Sequence, residues 1–127
     1  FLAKKEIAHE GLSELIVVDT MHTRKMKMHE ISDAAIAMPG GYGTLDELFE
    51  MLTWSQLGVH RKPIGLFNVN GYFDHLIAFI DHMQQEDFIQ ADTRSLLVHD
   101  EDPDRLLEKM ANYIPPALPA WLNNAGI

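Results

Sequence analysis

Three glycines and two acidic residues lie close together in residues 39–47 (PGGYGTLDE). Glycine lets backbone N–H groups approach a ligand, and a loop that leads into a helix adds unpaired N–H donors and the positive end of the helix dipole. Phosphate is the natural ligand of such a loop. Upstream, residues 21–25 (MHTRK) supply Arg24, which can contact phosphate or carboxylate oxygens through two N–H groups, and Lys25, which adds a point charge.

Each of these features also has a purely structural interpretation. Thr44 and Glu47 match a capping box, in which Thr44 caps the helix and Glu47 reaches back to the N–H of the cap. Gly40 and Gly41 could serve only a tight turn, and the basic pair at residues 24–25 could be a solvated helix start. The local pattern leaves both interpretations open.

Known nucleotide and catalytic motifs narrow the choice of chemistry. A dinucleotide-binding fingerprint needs G-x-G-x-x-G, but the sequence from Gly41 places Asp46 at the third glycine position, where its charge would meet the pyrophosphate. The sequence contains neither a G-x-x-x-x-G-K-[ST] phosphate loop nor a G-x-S-x-G serine elbow. Its seven histidines lack the tight spacing of metal ligands, so we expect no metal site.

The segments that must position these residues alternate between apolar runs and helical patterns. Apolar runs without polar alternation, typical of strands buried on both faces, occur at residues 15–18, 34–38, 64–69 and 96–99. Helical spacing of apolar residues occurs at residues 45–52 and 73–80. This alternation predicts an α/β fold with a doubly wound, Rossmann-like parallel sheet. Such sheets bind ligands beyond the carboxyl ends of their strands, and residues 21–25 and 39–44 follow two of the predicted strands.

A third helix is predicted near the end of the chain. It begins at Asp102-Pro103, with Asp102 as the cap and Pro103 at the first helical position. The apolar residues expected on its buried face are Leu106, Leu107, Met110 and Ile114. Prolines in the tail, residues 115–127, cannot continue this helix, so the tail is predicted to lie extended on the surface.

Length and composition limit the class of protein. A chain of 127 residues with 46% apolar and 23% charged residues suits one globular domain, residues 1–127. The formal net charge of −9 argues against a nucleic-acid polymer or a membrane surface as partner, whereas a small anionic ligand remains compatible. No apolar run approaches the ~20 residues that cross a bilayer. The lack of cysteine fits a reducing, cytoplasmic location.

The two motifs together resemble those of the LOG family, the cytokinin riboside 5'-monophosphate phosphoribohydrolases long mislabelled as lysine decarboxylase-like. That family carries a P-G-G-x-G-T-x-x-E signature, which residues 39–47 match, and an upstream M-H-x-R-K, which residues 21–25 match. Further similarity runs through residues 52–58 (LTWSQLG) and 62–69 (KPIGLFNV), so the match covers nearly the whole chain. Thr23 departs from the glutamate of many members, outside the Arg-Lys pair.

The resemblance implies hydrolysis of the N-glycosidic bond of an adenosine 5'-monophosphate (AMP)-type nucleotide to free base and ribose 5-phosphate, without a cofactor. Arg24 and Glu47 match the family's catalytic residues. The residues that match its substrate contacts are Glu6, Met21, Arg24, Lys25, Gly40, Gly41, Tyr42, Gly43, Thr44, Leu45, Asp46, Glu47 and Thr53. The resemblance also implies a homodimer or higher homo-oligomer. It further implies an N-terminal part, with the first strand and more glycine loops, that this chain lacks.

Two other functions compete with this interpretation. The same glycine-rich α/β frame can hold a nucleotide without cleaving it, so a non-catalytic nucleotide-binding or carrier module is the alternative. The carboxylate of Glu47 favours the enzyme. Lysine decarboxylation is not expected, because it needs a lysine that forms a Schiff base with pyridoxal phosphate, and nothing marks Lys25 or Lys62 as such a lysine.

Overall fold

The computed structural model describes residues 11–118, in a chain that divides into two compact units, Phe1–Asp33 and Ala34–Ile127. The described part of the smaller unit holds one helix, α1 (Met21–Ile31). Thr20 caps this helix, because its side-chain oxygen accepts a hydrogen bond from the N–H of Thr23. Residues 21–25 are therefore the first turns of a helix rather than a loop, and the role of the basic pair stays a prediction.

The predicted strand at residues 15–18 is wrong. This stretch lies in neither a helix nor a strand, and the side chains of Leu15, Ile16 and Val17 are exposed. A strand is stable only when its backbone pairs with a neighbour. The described part of its own unit contains no other strand with which residues 15–18 could pair.

The larger unit confirms the predicted alternation of strands and helices. Its elements in chain order are β1 (Ala35–Ala37), α2 (Tyr42–Gln56), β2 (Ile64–Phe67), α3 (Asp74–Gln85), α4 (Ala91–Arg94), β3 (Leu97–Asp100) and α5 (Pro103–Ala111). The three strands form one parallel sheet in the order β1-β2-β3. In its register, Ala35 pairs with Ile64, and Ile64 pairs in turn with Leu97.

Helices cover both faces of the central strand, as a doubly wound sheet requires. On one face, Ile64 and Leu66 of β2 pack in a cluster with Leu48 of α2 and with Phe73 and Ile80 before and within α3. On the other face, a Cβ added at Gly65 would lie 2.5 Å from Met110 Sδ and 3.3 Å from Leu106 Cδ1 of α5. Glycine at this strand position therefore lets α5 lie close to the sheet.

Helix α5 starts as predicted but buries fewer residues than expected. Asp102 is its cap and Pro103 its first residue, and Leu106 and Met110 are buried. Leu107, however, is 55% exposed, because consecutive helical residues point about 100° apart and Leu106 already faces the sheet. Ile114 is 85% exposed, because the helix ends at Ala111 and its periodicity no longer applies.

Two further observations concern the tail and the length of the helices. Residues 115–118 of the tail lie in neither helix nor strand, and Arg61 Nη2 donates a 2.7 Å hydrogen bond to the carbonyl of Pro116. The rest of the tail falls outside the described residues. Within residues 11–118, no helix has the length and apolar character needed to cross a membrane.

Candidate active site

The glycine loop connects the end of β1 to the start of α2. The strand ends at Ala37, and Gly41 is the residue that caps the helix, without a side chain to accept its N–H groups. The first hydrogen bond of the helix runs from the N–H of Leu45 to the Gly41 carbonyl, 3.1 Å away. In the described part of the chain, the N–H groups of residues 41–44 donate no hydrogen bond. They are thus available to an anion at the positive end of a 15-residue helix.

The three glycines of this loop serve different purposes. A Cβ added at Gly40 would collide with the Oγ1 and Cβ of Thr44, the latter at 2.9 Å, so the fold itself requires glycine there. A Cβ added at Gly41 or Gly43 would meet nothing within 4 Å, and neither residue has a positive φ. Packing and backbone conformation therefore do not require glycine at these two positions, which leave open space beside the free N–H groups.

A tyrosine from the next strand's loop holds the glycine loop in place. The hydroxyl of Tyr72 donates a 2.8 Å hydrogen bond to the carbonyl of Gly40. Tyr72 follows β2, and parallel strands end at the same edge of a sheet, so the two loops are neighbours. The prediction from sequence missed this residue, although its position after a strand with Asn70-Gly71 in the turn was a signal.

The capping-box interpretation of Thr44 and Glu47 is wrong. The helix begins at Tyr42, two residues before Thr44, and its cap is Gly41. Glu47 is exposed and lies in the second turn of α2, and its carboxylate makes no hydrogen bond or ion pair with the described residues. Thr44 and Glu47 are three residues apart and so share one face of the helix. A free carboxylate therefore lies one turn beyond the unpaired N–H groups.

The other predicted contact residues of α2 differ in how exposed their side chains are. Tyr42 is 96% exposed at the first helical position, and Asp46 is exposed one turn later. Leu45 packs against the core beneath the helix. Thr53 is exposed two turns beyond Glu47, and its hydroxyl donates to the Phe49 carbonyl at 2.7 Å.

The remaining predicted residues belong to the smaller unit. Met21 and Arg24 lie on the exposed side of the first turn of α1, where Arg24 Nη1 approaches Met21 Sδ at 3.4 Å. Lys25 follows and is half-buried. Thioether sulfur is a weak acceptor, so the guanidinium of Arg24 keeps most of its hydrogen-bonding capacity. Glu6 lies outside the described residues.

The loop after β3 is occupied by the protein's own charges. Asp100 accepts hydrogen bonds from the N–H of Asp102 at 2.8 Å and from Lys109 Nζ at 2.9 Å, and its carboxylate pairs with Arg105. The hydrogen bond from Asp102, followed by those from Lys109 and the charge of Arg105, lowers the pKa of Asp100 to about 2. The prediction from sequence did not include this cluster. Because Lys109 and Arg105 both pair with Asp100, neither is left to bind an external anion at the end of β3.

One cleft in the described part of the chain lies away from the glycine loop. A cleft of about 400 Å³ lies before the amino ends of β2 and β3, where His60, Arg61 and Leu96 help to line it. None of its lining residues belongs to the glycine loop. Within residues 11–118, no group of three or more histidine or acidic side chains is placed to hold a metal ion.

Comparison with known proteins matches the chain to a family. The family model described as "Possible lysine decarboxylase" matches residues 1–110, which is most of the chain. The matched region contains both motifs, the helix start at residues 21–25 and the glycine loop at residues 39–47.

Curated relatives share nearly half of the aligned residues. The chain is 47% identical over 114 residues to cytokinin riboside 5'-monophosphate phosphoribohydrolase LOG2 of Arabidopsis thaliana, covering 90% of this chain and 54% of that protein. It is 50% identical over 112 residues to the probable cytokinin riboside 5'-monophosphate phosphoribohydrolase LOGL1 of Oryza sativa subsp. japonica, covering 88% of this chain and 50% of that protein. The chain thus spans about half the length of the curated relatives it matches. With the family model matched over most of its length and both motifs in place, the chain belongs to the LOG family of "possible lysine decarboxylase" proteins.

Proposed function

We propose that the protein hydrolyses the N-glycosidic bond of adenosine or cytokinin riboside 5'-monophosphates, releasing the free base and ribose 5-phosphate. The relatives from Arabidopsis thaliana are named as cytokinin riboside 5'-monophosphate phosphoribohydrolases. The observation that carries the proposal is the start of α2. There, four N–H groups and a carboxylate, none of which has a partner within residues 11–118, lie one helical turn apart on the same helix.

In this proposal the 5'-phosphate binds at the glycine loop. The N–H groups of residues 41–44 donate to its oxygens, and the hydroxyl of Thr44 adds a further donor. The bare backbone at Gly41 and Gly43 lets the phosphate approach closely. Binding energy from this remote group positions the bond that breaks.

Glu47 and Arg24 act on the reacting end of the nucleotide. When the bond from ribose to base breaks, positive charge develops on C1' and the ring oxygen, and the Glu47 carboxylate stabilises that charge. The same carboxylate orients the attacking water and accepts its proton, while the departing base takes up a proton at its ring nitrogen. Arg24, assigned through the motif at residues 21–25, binds the nucleotide and balances charge as the base leaves.

The change of Glu47 to glutamine tests the central role. Glu47→Gln keeps the size of the side chain and removes its charge, so we expect kcat/KM for adenine release from AMP to fall about 100-fold or more. The matched control is Glu108→Gln, the same change on the exposed face of α5. Chromatography of the reaction products from the complete protein measures both variants.

The outcomes separate the enzyme from the alternative. Unchanged adenine release by a folded Glu47→Gln variant would remove Glu47 from the mechanism. Binding of AMP by the wild-type protein without any adenine release would instead support a nucleotide-binding or carrier module.

The role of Arg24 has its own test. We expect Arg24→Ala to lower kcat/KM by a factor on the order of 100, the usual effect of losing one electrostatic contact in an active site. Lys27→Ala is the control on the same helix, where Lys27 makes a 3.8 Å ion pair with Glu30. Equal activities of the two variants would exclude Arg24 from the reaction.

Substrate preference and assembly complete the proposal. A panel of nucleoside monophosphates, with plain adenine and N6-prenylated adenine as bases, identifies the preferred substrate through relative kcat/KM. The resemblance supports a homodimer or higher homo-oligomer, and the lack of cysteine supports a cytoplasmic location. Light scattering of the complete protein tests the homodimer, and a monomer that is fully active would contradict it.

A further inference from the structure

Tyr72 reaches out of its own turn to the glycine loop. Its hydroxyl donates to the carbonyl of Gly40, 32 residues earlier in the chain, at 2.8 Å. Its ring packs edge-on against Phe73, with ring centroids 4.9 Å apart and planes at 83°. Phe73 is buried in the core. The ring that carries the hydroxyl therefore packs against a residue of the hydrophobic core.

The turn that carries Tyr72 is tightly specified. Asn68 is buried, its Oδ1 accepts the N–H of Phe73 at 2.7 Å, and its Nδ2 donates to Asp74 Oδ1 at 2.8 Å. Asn70 and Gly71 both take left-handed backbone conformations, with φ of 51° and 71°. Positive φ is uncommon outside glycine, and asparagine adopts it more readily than most residues. These hydrogen bonds and backbone conformations fix the direction in which Tyr72 leaves the turn.

Peptide geometry links the Tyr72 hydrogen bond to the free N–H groups. The peptide bond between Gly40 and Gly41 is planar and trans, so its carbonyl and its N–H point in opposite directions. Holding the Gly40 carbonyl on Tyr72 therefore aims the Gly41 N–H away from Tyr72. That N–H has no partner among the described residues, and the Cα of Gly41 borders open space.

We propose that Tyr72 is a positioning residue, which fixes the Gly40–Gly41 peptide so that the Gly41 N–H is already aimed at the phosphate of the substrate. This inference rests on the proposed function, because it concerns the same anion site. Preorganised donors bind an anion without the cost of ordering the loop at that moment. Tyr72 itself need not contact the nucleotide.

The test removes only the hydroxyl. Tyr72→Phe keeps the ring that packs on Phe73, so the protein should remain folded. We expect the KM for AMP and the Kd of ribose 5-phosphate to rise roughly fivefold, the effect of losing one neutral hydrogen bond, while kcat changes less than twofold. The control is Tyr113→Phe, which removes a buried hydroxyl that makes no hydrogen bond among the described residues and should leave both constants unchanged.

Two measurements keep this inference distinct from the proposed function. Adenine release by the wild-type protein tests the function, whereas calorimetric binding of ribose 5-phosphate tests Tyr72 whether or not AMP is cleaved. A higher Kd for Tyr72→Phe alone supports the positioning role. Equal Kd values for the two tyrosine variants would overturn it, as would no binding of ribose 5-phosphate by the wild-type protein or a fall in kcat with KM unchanged.

Discussion

Helices α2 and α5 both start directly after strands of the same sheet, yet their first N–H groups have opposite surroundings. On α5, the Asp102 side chain accepts hydrogen bonds from the N–H groups of Asp104 at 2.8 Å and Arg105 at 3.1 Å. Asp104 adds a second acidic residue to the first turn. On α2, the cap is Gly41, and the first turn has no acidic residue.

The difference shows what each helix start is free to bind. A chain with nineteen acidic residues has many carboxylates that could stabilise the start of α2, and none lies in its first turn. The protein's own anions fill the positive end of α5, whereas no carboxylate of residues 11–118 occupies the positive end of α2, which suits an anion from outside. We therefore take α2, rather than α5, as the helix that receives the phosphate.

The most direct test of this difference is to give α2 the cap of α5. In Gly41→Asp, the new carboxylate has room and can accept the free N–H groups, so it should exclude the phosphate electrostatically. We expect kcat/KM for AMP to fall about 100-fold or more. Stability should stay equal or rise by a few tenths of a kcal/mol in urea unfolding. Gly41→Asn, a neutral cap, should lose less activity, and wild-type kinetics in Gly41→Asp would show that phosphate binds elsewhere.

Within the glycine loop, we expect alanine to destabilise the protein only where packing requires glycine. Gly40→Ala forces a Cβ against the short, branched side chain of Thr44, so we expect a loss of about 1–3 kcal/mol in the free energy of unfolding. Gly43→Ala is the matched control. Its Cβ has space, and alanine in a helix gains up to about 1 kcal/mol over glycine. Equal stabilities of the two variants would mean that Gly40 is not constrained by Thr44.

On α5, removal of the cap should cost stability and nothing else. Asp102→Ala leaves the N–H groups of Asp104 and Arg105 without their acceptor, so the free energy of unfolding should fall by about 1 kcal/mol. Urea denaturation measures this change. Well below the melting temperature, kcat/KM for AMP should match the wild type. A large loss of activity in the folded variant would contradict the division of roles between α2 and α5.

The smallest expected effect is a pH dependence of stability from Asp100. Its pKa is lowered from 3.8 to about 2 on folding, so its contribution to stability is complete above pH 3.8 and is lost as the pH falls towards 2. Thermal unfolding between pH 5 and pH 2 should therefore show a steeper decline for the wild type than for Asp100→Asn. Parallel declines would mean that the carboxylate is not held by Asp102, Lys109 and Arg105.

Much of the fold follows from local sequence patterns. The predicted strands at residues 34–38, 64–69 and 96–99 correspond to β1, β2 and β3, and the apolar spacing at residues 45–52 and 73–80 to α2 and α3. These patterns succeed because a continuous apolar run marks a strand covered on both faces, as β2 is, and apolar residues at helical spacing mark the buried face of a helix. Helix α1 escaped prediction because its sequence, MHTRKMKMHEI, has no apolar face, and none of its residues is buried.

The sequence named the residues of the candidate site but did not predict how they are arranged. The two motifs indicated the family, which the comparisons confirm, and they named Gly41, Gly43 and Glu47. The order of residues could not reveal whether Glu47 was committed to a capping box. That question depends on which residue caps the helix, and this residue proved to be Gly41 rather than Thr44.

The sequence by itself predicted the parallel α/β layering, the cap of α5 at Asp102 and membership of the family, because each has its signal in local runs, spacings and motifs of residue types. Only the tertiary structure decided that Thr44 requires glycine at residue 40 and that Tyr72 holds the carbonyl of Gly40. It also decided that residues 15–18 pair with no strand in the described part of their unit. Contacts between distant residues depend on how strands and turns are placed in space, and local periodicity does not encode that placement.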